Sequence, residues 1–328
     1  MKYYVGHPLQ TRGAEQYILQ GGKGDGMKFL NVRNGLGLEV WISLDRCADL
    51  GRVTYKGMNM GYMSPCGNVA PSFYDKDGIG FLKSFSAGFI TTVGFEGAGG
   101  ACVDQGENVP LHGTVGNLPA ELKSIEESDN EIVIKAIVRD CVIFGRRFIL
   151  ERSYNISYTE NTITLRDKIT NEGENEHPFL LLYHCNMGYP LLSENSIVKV
   201  PFTDIRANTP SAIENIDTAL LMEKPQKNYI ERCYFFDTVP CEDNNVKVGI
   251  FNPDINVGMI MSYNKEELPC FTEWKMMGRR DYALGLEPGS CEPCPRNIQR
   301  EKGILKYLDS EQTYTAGLTF KFIDKEEL

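Results

Sequence analysis

The residue best suited to chemistry in this chain is Glu287, a carboxylate inside an otherwise apolar stretch from residue 283 to residue 288. Because side chains alternate between the two faces of a strand, Glu287 should share its face with Ala283 and Gly285. Both neighbours are too small to fill the space beside it. A half-buried acid of this kind is hard to ionise, which suits a group that transfers protons.

Two of the four histidines lie in similar settings. His112 occupies a proline-bounded stretch where a strand is expected to meet a loop. His184 shares an expected strand face with Asn186, which supplies a second polar group there. Imidazole changes charge near neutrality, so a histidine can give or take a proton under ordinary conditions.

Each of these residues also has an ordinary structural interpretation. Glu287 could be a buried acid paired with an arginine such as Arg46 or Arg279. A lone histidine on an apolar strand, such as His184, is more often a core residue than a functional one. Taken together, however, Glu287 and the two histidines indicate one site for acid–base chemistry on an uncharged polar substrate, with a sugar as the first candidate.

Six further residues are candidates for contacts with that substrate. Charged groups around hydroxyls form strong hydrogen bonds, and an aromatic ring can stack on the apolar face of a sugar. The alternatives are ordinary surface charge and core packing. The candidates are Arg46, Asp104, Glu107, Lys275, Arg280 and Trp274.

Composition limits the classes of partner. The net charge of −10 argues against nucleic acid or an anionic membrane, because both require clustered positive charge. No segment has the length of a signal peptide or an apolar membrane helix, and the ten cysteines are scattered, so we expect a cytoplasmic protein with reduced thiols. Cys291 and Cys294 form a Cys-x-x-Cys pair, but no second pair completes a zinc site. We therefore expect neither a metal nor a cofactor.

Alternating apolar residues predict strands with one buried face in four regions. Few amphipathic helices interrupt them, which favours one antiparallel all-β sandwich domain spanning residues 1–328. We expect a short helix over 14–20, long loops over 73–89 and 94–100 that build the site, and no clear assignment for 296–308. The four strand regions are 132–138, 148–156, 162–166 and 313–322.

The order of the short motifs resembles that of the aldose 1-epimerase (galactose mutarotase-like) superfamily. The motifs are Leu111-His112-Gly113, Tyr183-His184-Cys185-Asn186 and Leu286-Glu287-Pro288 with Asn297 following, and the phrases 111–120 and 273–278 are similar to a less characterised branch.

The resemblance implies a β-supersandwich fold and a mutarotase that needs no cofactor. It implies His184 as the general acid for the ring oxygen, Glu287 as the general base for the anomeric hydroxyl, and His112 as a sugar-holding residue. We expect His184 and Glu287 on opposite sides of the sugar ring, since ring opening requires one proton removed and one delivered.

Other functions fit the same residues. A non-catalytic sugar-binding protein on this fold would bind a sugar without accelerating its reactions. A metal-dependent sugar isomerase would use His112, His184 and Glu287 as ligands. A glycosidase usually needs two facing carboxylates, and only Glu287 has a suitable setting. The identity of the sugar and the presence of a homodimer stay open.

Overall fold

The computed structural model describes residues 3–328, and most of its regular structure is antiparallel strand. The expectation of an all-β antiparallel fold is therefore confirmed. The strands, in chain order, are β1 (Gly13–Ile18), β2 (Lys28–Arg33), β3 (Leu38–Ser43), β4 (Asp49–Tyr55), β5 (Met58–Asn59), β6 (Tyr62–Met63), β7 (Ala87–Gly88), β8 (Ile90–Phe95), β9 (Cys102–Asp104), β10 (Glu107–Val109), β11 (Ala120–Glu127), β12 (Glu131–Cys141), β13 (Arg147–Ser157), β14 (Thr162–Asn171), β15 (His177–Pro178), β16 (Leu180–Met187), β17 (Ile197–Lys199), β18 (Phe202–Ala207), β19 (Arg232–Thr238), β20 (Asn245–Asn252), β21 (Val257–Asn264), β22 (Cys270–Met277), β23 (Tyr282–Gly289), β24 (Tyr307–Leu308) and β25 (Thr313–Ile323). The α-helices are α1 (Pro210–Glu214) and α2 (Arg296–Glu301), and 3-10 turns occur at Pro8–Gln10, Gly22–Gly24, Pro71–Phe73, Gly80–Lys83, Val115–Asn117, Ile216–Thr218 and Glu242–Asn244.

Three larger sheets carry the fold. An eight-stranded sheet has the order β11-β12-β13-β14-β25-β21-β20-β17, and a six-stranded sheet has the order β18-β19-β22-β23-β16-β8. A five-stranded sheet, β1-β2-β3-β4-β5, is formed by the N-terminal part of the chain. The six-stranded sheet joins strands that are far apart in sequence, so it can bring distant residues together.

The core follows from the alternation seen in the sequence. In β13, for example, Phe148, Leu150, Tyr154 and Ile156 are all buried, whereas Glu151 between them is exposed. The same pattern in β12, β14 and β25 confirms the four predicted strand regions. These faces join one hydrophobic cluster with residues from the other two sheets. The one-domain interpretation stays a prediction.

One local expectation needs correction, and one open stretch is resolved. The short helix expected over 14–20 is absent, because β1 occupies this position and pairs with β2 from Gly13–Arg33 to Ile18–Lys28. Pairing along a whole strand, with the Tyr17 ring 5.3 Å from the Trp41 ring, outweighs a weak local preference for helix. The undecided stretch 296–308 divides into α2 and the short strand β24.

The expected long loops are partly regular. Residues 73–89 contain the 3-10 turn Gly80–Lys83 and the short strand β7, which pairs with β6. Gly94 and Phe95 belong to β8, so the second loop begins only at Glu96.

Within residues 3–328, neither α-helix has the length or apolar character needed to cross a bilayer. All ten cysteines are free thiols. Cys291 is buried against Leu180 and Leu182, while the backbone N–H of Cys294 donates to the Ala98 carbonyl at 2.9 Å. Both residues therefore have structural contacts.

Candidate active site

A cavity of about 590 Å³ lies on the face of the six-stranded sheet that points away from the main core. Strand alternation builds its floor. In β22, Trp274 and Met276 line the cavity, while Phe271 and Met277 belong to the core. In β23, Glu287 faces the cavity and its neighbour Leu286 faces the core. The volume lies within the range typical of small-molecule sites.

The central feature of the floor is a contact between His184 and Glu287. The register that pairs Cys185 with Leu286 puts His184 directly opposite Glu287 on adjacent antiparallel strands. His184 Nδ1 is 3.2 Å from Glu287 Oε1, and the two side chains are only 6% and 3% exposed. The atoms are close enough for a proton to pass, but their orientation does not make a hydrogen bond.

This contact corrects one expectation. The two groups were expected on opposite sides of a sugar ring, but they lie side by side. The reason is the register of β16 and β23, which is fixed by alternation of buried and exposed side chains. Two distant stretches of sequence therefore meet as one cross-strand pair.

The small residues beside Glu287 leave it room. A methyl group in place of the Gly285 hydrogen would overlap Glu287 Oε1 and lie 2.9 Å from the Trp274 Cβ. Ala283 packs among Tyr62, Phe81 and Phe85 on the cavity side of the sheet. Residues of ordinary size at 283 and 285 would therefore fill the space around the acid.

Burial controls the protonation of this pair. Removal from water raises the pKa of Glu287 well above its ordinary value, and the nearby charge of Glu231 raises it further. Burial also lowers the pKa of His184 to about 3, with a further contribution from His112. Burial therefore favours the uncharged form of both groups, the protonated carboxyl of Glu287 and the neutral imidazole of His184. The pair contains one proton donor and one proton acceptor.

His112 is held at the edge of the same floor. Its backbone N–H donates to the Gly99 carbonyl at 2.9 Å, and its Nδ1 accepts a longer bond of 3.4 Å from the Gly99 N–H. Its ring lies 5.7 Å from that of His184 at nearly a right angle. Burial lowers the pKa of His112 to about 4, so its imidazole is also neutral. Because Nδ1 accepts, the ring proton belongs on Nε2.

Aromatic side chains form the walls around His184. The Phe85 and Trp274 rings are each 5.4 Å from the imidazole, and Phe81 stacks on Phe85 at 5.0 Å. Trp274 donates from Nε1 to Glu231 at 2.8 Å, which fixes the indole at the edge of the cavity. Of the six further residues predicted to contact the substrate, Trp274 is the one that the fold brings to the cavity.

Three others of the six predicted substrate contacts lie outside the cavity. Arg46 is buried, and its guanidinium donates to the carbonyls of Val69 and Ser84 at 3.0 and 2.9 Å. It braces the segment that carries Phe85 but does not line the cavity. Asp104 and Glu107 instead bind the guanidinium of Arg296, outside the cavity. Charge in a sequence does not distinguish internal ion pairs from substrate contacts.

Strand alternation explains why Lys275 is also misplaced. Since Trp274 faces the cavity, its neighbour Lys275 must face the other way, where its ammonium donates to backbone carbonyls at 2.9 and 2.6 Å. Arg280 is exposed in a left-handed turn (φ 73°) and does not line the cavity. Asn186 is fully buried on the same strand face as His184 but does not line the cavity, and its amide donates to the His184 carbonyl at 2.9 Å.

Several cavity residues were missed. Glu231 and Asp281 contribute carboxylates at the opening, and Tyr62, Phe81 and Phe85 come from segments outside the large sheets. The aromatic pair Phe81 and Phe85 lies inside the loop predicted over 73–89, so its composition was the available signal. No local pattern distinguishes Glu231 or Asp281 from other surface acids.

His112, His184 and Glu287 would be the ligands if the protein were a metal-dependent isomerase. In the part of the chain that the structure describes, no three His, Cys, Asp or Glu side chains are grouped so that they could hold a metal ion.

Comparison with known proteins gives the family. A model described as "Domain of unknown function (DUF4432)" matches residues 24–322, so the chain belongs to that family. No curated protein matches the sequence.

Solved structures give the wider relationship. A protein from Klebsiella pneumoniae subsp. pneumoniae MGH 78578, provisionally named an aldose 1-epimerase, is 26% identical with a TM-score of 0.89, and the match covers 95% of this chain and 83% of that one. A galactose mutarotase-like protein from Clostridium acetobutylicum shares the fold at 12% identity, with a TM-score of 0.69 and coverage of 96% and 99%. Galactose 1-epimerase from Lactobacillus acidophilus NCFM does so at 14% identity, with a TM-score of 0.64 and coverage of 96% and 100%. The chain is thus a member of the galactose mutarotase-like superfamily.

Proposed function

We propose that this member of the galactose mutarotase-like superfamily is a carbohydrate mutarotase, which interconverts the anomers of an aldose by acid–base opening and closing of the sugar ring. The observation that carries the proposal is the 3.2 Å contact between His184 Nδ1 and Glu287 Oε1 on the floor of the cavity. Neither atom has a hydrogen-bond partner within residues 3–328, and both residues line the cavity.

The side-by-side arrangement suits this reaction. The ring oxygen and the anomeric hydroxyl are bonded to the same carbon, C1, so two adjacent protein groups can serve them. The base takes the hydroxyl proton, the acid protonates the ring oxygen, and the bond between C1 and the ring oxygen breaks to give an aldehyde. Rotation of the aldehyde and closure by the reverse transfers give the other anomer.

The protonation states of His184 and Glu287 determine which proton transfer must come first. Burial favours a proton on Glu287 and a neutral imidazole at His184, whereas the superfamily roles require His184 as acid and Glu287 as base. Substrate binding must therefore be accompanied by transfer of this proton from Glu287 to His184. Such positioned proton transfers each contribute about 10²- to 10⁴-fold to a rate.

The surroundings support a sugar as substrate. Trp274, Phe81 and Phe85 offer aromatic faces for the apolar side of a pyranose, while Nε2 of His112 carries a proton that can be donated to a sugar oxygen. Nearly complete burial of His184 and Glu287 also keeps water from competing for their protons.

The test is anomer exchange, measured by NMR saturation transfer on a panel of neutral aldoses. Wild type should accelerate exchange for at least one sugar, and Glu287→Gln and His184→Asn should each lower that acceleration by about 100-fold or more. Matched controls are Glu273→Gln, which removes a buried acid from the opposite face of the same sheet, and His177→Asn, which removes a histidine outside the cavity. Both controls should retain exchange.

Two outcomes contradict the proposal. The first is a wild-type protein that binds a sugar without accelerating its exchange, which favours the sugar-binding alternative. The second is full exchange activity in folded Glu287→Gln.

A further inference from the structure

The opening of the cavity has an unusual balance of charge. Two carboxylates, Glu231 and Asp281, line it. Among the described residues that form the lining, there is neither a lysine nor an arginine. Arg279 and Arg280 precede Asp281 in sequence, but both are exposed and neither belongs to the lining.

The two carboxylates at the opening are joined to aromatic walls and not to cations. Trp274 Nε1 donates to Glu231 Oε2 at 2.8 Å, and the Tyr62 hydroxyl donates to Asp281 Oδ1 at 3.4 Å. Neither acid has a lysine or arginine ion-pair partner within residues 3–328. Their negative charge is therefore not neutralised by the protein.

Aromatic faces beside free carboxylates form a chemical environment suited to a cation. The ring faces of Trp, Tyr and Phe attract ammonium groups, and carboxylates bind them by charge-assisted hydrogen bonds. Tyr62, Phe81, Phe85, Phe235 and Trp274 all line this cavity. The buried, unpartnered His184 Nδ1 and Glu287 Oε1 show that the floor is also equipped to receive a polar ligand.

We propose that the cavity prefers an aldose that carries an ammonium group, a protonated amino sugar, over the neutral sugar, and that it rejects sugar acids and sugar phosphates. This inference rests on the proposed function for the choice of an aldose. The ammonium group lies near Glu231 and Asp281, and an anionic substituent at the same position meets two like charges without a compensating cation.

The effect should be moderate because Glu231 and Asp281 are exposed to solvent. Interactions between exposed charges are weakened by water and by salt. At low ionic strength we expect the amino sugar to bind about threefold to tenfold more tightly than the neutral sugar, and the acid to bind weaker by a similar factor. Added salt should narrow both differences.

The experiment uses matched trios of sugars that differ in one substituent. Glucose, glucosamine and glucuronate form one trio, and galactose, galactosamine and galacturonate form another. Affinities are measured by calorimetric titration at about pH 6, where an aliphatic amine is protonated. Glu231→Gln and Asp281→Asn should each reduce the preference for the amino sugar, whereas Glu126→Gln, which removes an exposed acid of β11, should not.

The affinities of the two trios support or overturn the predicted charge preference. If the amino sugar binds no better than the neutral sugar, or the acid binds equally well, the charge preference is overturned. The same holds if no sugar of either trio binds. If the predicted ranking appears but no anomer exchange is accelerated, the charge preference stands and the proposed mutarotase activity fails.

Discussion

Two clusters of buried polar side chains within the β-sandwich, one around Arg152 and one formed by His184 and Glu287, differ in how completely their hydrogen bonds are satisfied. In the first, Arg152 donates to Asp49 at 2.6 Å, to both oxygens of Asp167 at 2.9 and 2.6 Å, and to the Thr92 hydroxyl at 2.8 Å. Tyr183 also donates to Asp167 at 2.8 Å. Together these residues connect the three larger sheets.

The second group is the pair of His184 and Glu287. It is almost as deeply buried, but His184 Nδ1 and Glu287 Oε1 have no hydrogen-bond partner in the part of the chain described by the structure. Buried polar atoms in native proteins are nearly always paired, so an unpaired couple facing a cavity indicates a role toward a ligand. The comparison teaches that unpaired polar atoms indicate a candidate functional group when they also face a cavity, since the oxygens of Glu273 are unpaired too but lie on the opposite face of the sheet.

Substitution of Arg152 should destabilise the protein strongly, whereas substitution of Glu287 should not. Arg152→Met leaves two buried carboxylates without their cation and should lower the free energy of unfolding by about 3–5 kcal/mol. At about pH 4.5, where ionisation of Glu287 contributes little to the free energy of unfolding, Glu287→Gln should change it by less than about 1 kcal/mol, because Glu287 Oε1 has no hydrogen-bond partner to lose. Urea unfolding of both variants measures the difference.

A matched control for the first variant is Arg166→Met, which removes an exposed arginine paired with Glu267 and should cost no more than about 1 kcal/mol. Equal destabilisation by Arg152→Met and Glu287→Gln would contradict the distinction between the two groups.

The pH dependence of stability should sharpen the comparison. Burial lowers the pKa of His184 in the folded protein to about 3, so below about pH 6.5 the unfolded chain binds more protons and stability falls as pH falls. Burial raises the pKa of Glu287, so above about pH 4.5 the folded chain retains a proton that the unfolded chain releases. The contribution of Glu287 to the free energy of unfolding therefore falls as pH rises.

The two variants should accordingly change the slope in opposite directions. The free energy of unfolding, measured in urea at a series of pH values, should rise less steeply with pH in His184→Asn than in wild type. In Glu287→Gln it should rise more steeply. For His184→Asn the change should be on the order of 3–5 kcal/mol between about pH 3 and pH 6.5. For Glu287→Gln the prediction is the direction of the change. Parallel profiles for all three proteins would show that neither residue has a shifted pKa.

The smallest predicted effect concerns the space beside the acid. Gly285→Ala puts a methyl group against Glu287 and Trp274, which should lower stability by about 1–2 kcal/mol and displace the carboxyl from His184. Exchange activity should fall about tenfold or more, since small errors in position are costly to catalysis. Gly289→Ala, also in β23, overpacks against Leu182 and the backbone without touching Glu287. If both variants retain full activity per folded molecule, the space beside Glu287 is unimportant.

The sequence predicted the strands well because each buries one face, and the alternation of apolar residues reports that directly. It also selected His112, His184 and Glu287, which the fold brings to one cavity, because ionisable groups in apolar strands are uncommon and visible. It failed for β1, where pairing with β2 decides the structure. It failed again for Lys275, although its neighbour Trp274 was selected and adjacent strand residues cannot share a face.

Long-range contacts account for the remaining errors. Nothing near Asp104 in sequence indicates that Arg296 and Arg300 bind it, and nothing near Arg46 indicates its carbonyl partners. The acids at the cavity opening were missed for the same reason, since Glu231 and Asp281 come to the same cavity only after the strands have paired. Charge and residue type alone cannot supply these contacts.

The central claim is that His184 and Glu287 act as one proton-transferring unit. A double-variant cycle on anomer exchange tests it directly, using wild type, His184→Asn, Glu287→Gln and the double variant. If the two residues share one proton, each single variant already disables the unit, and the double variant should fall no more than about threefold below either. Losses that multiply in the double variant would contradict the account, as would single variants that keep the wild-type rate.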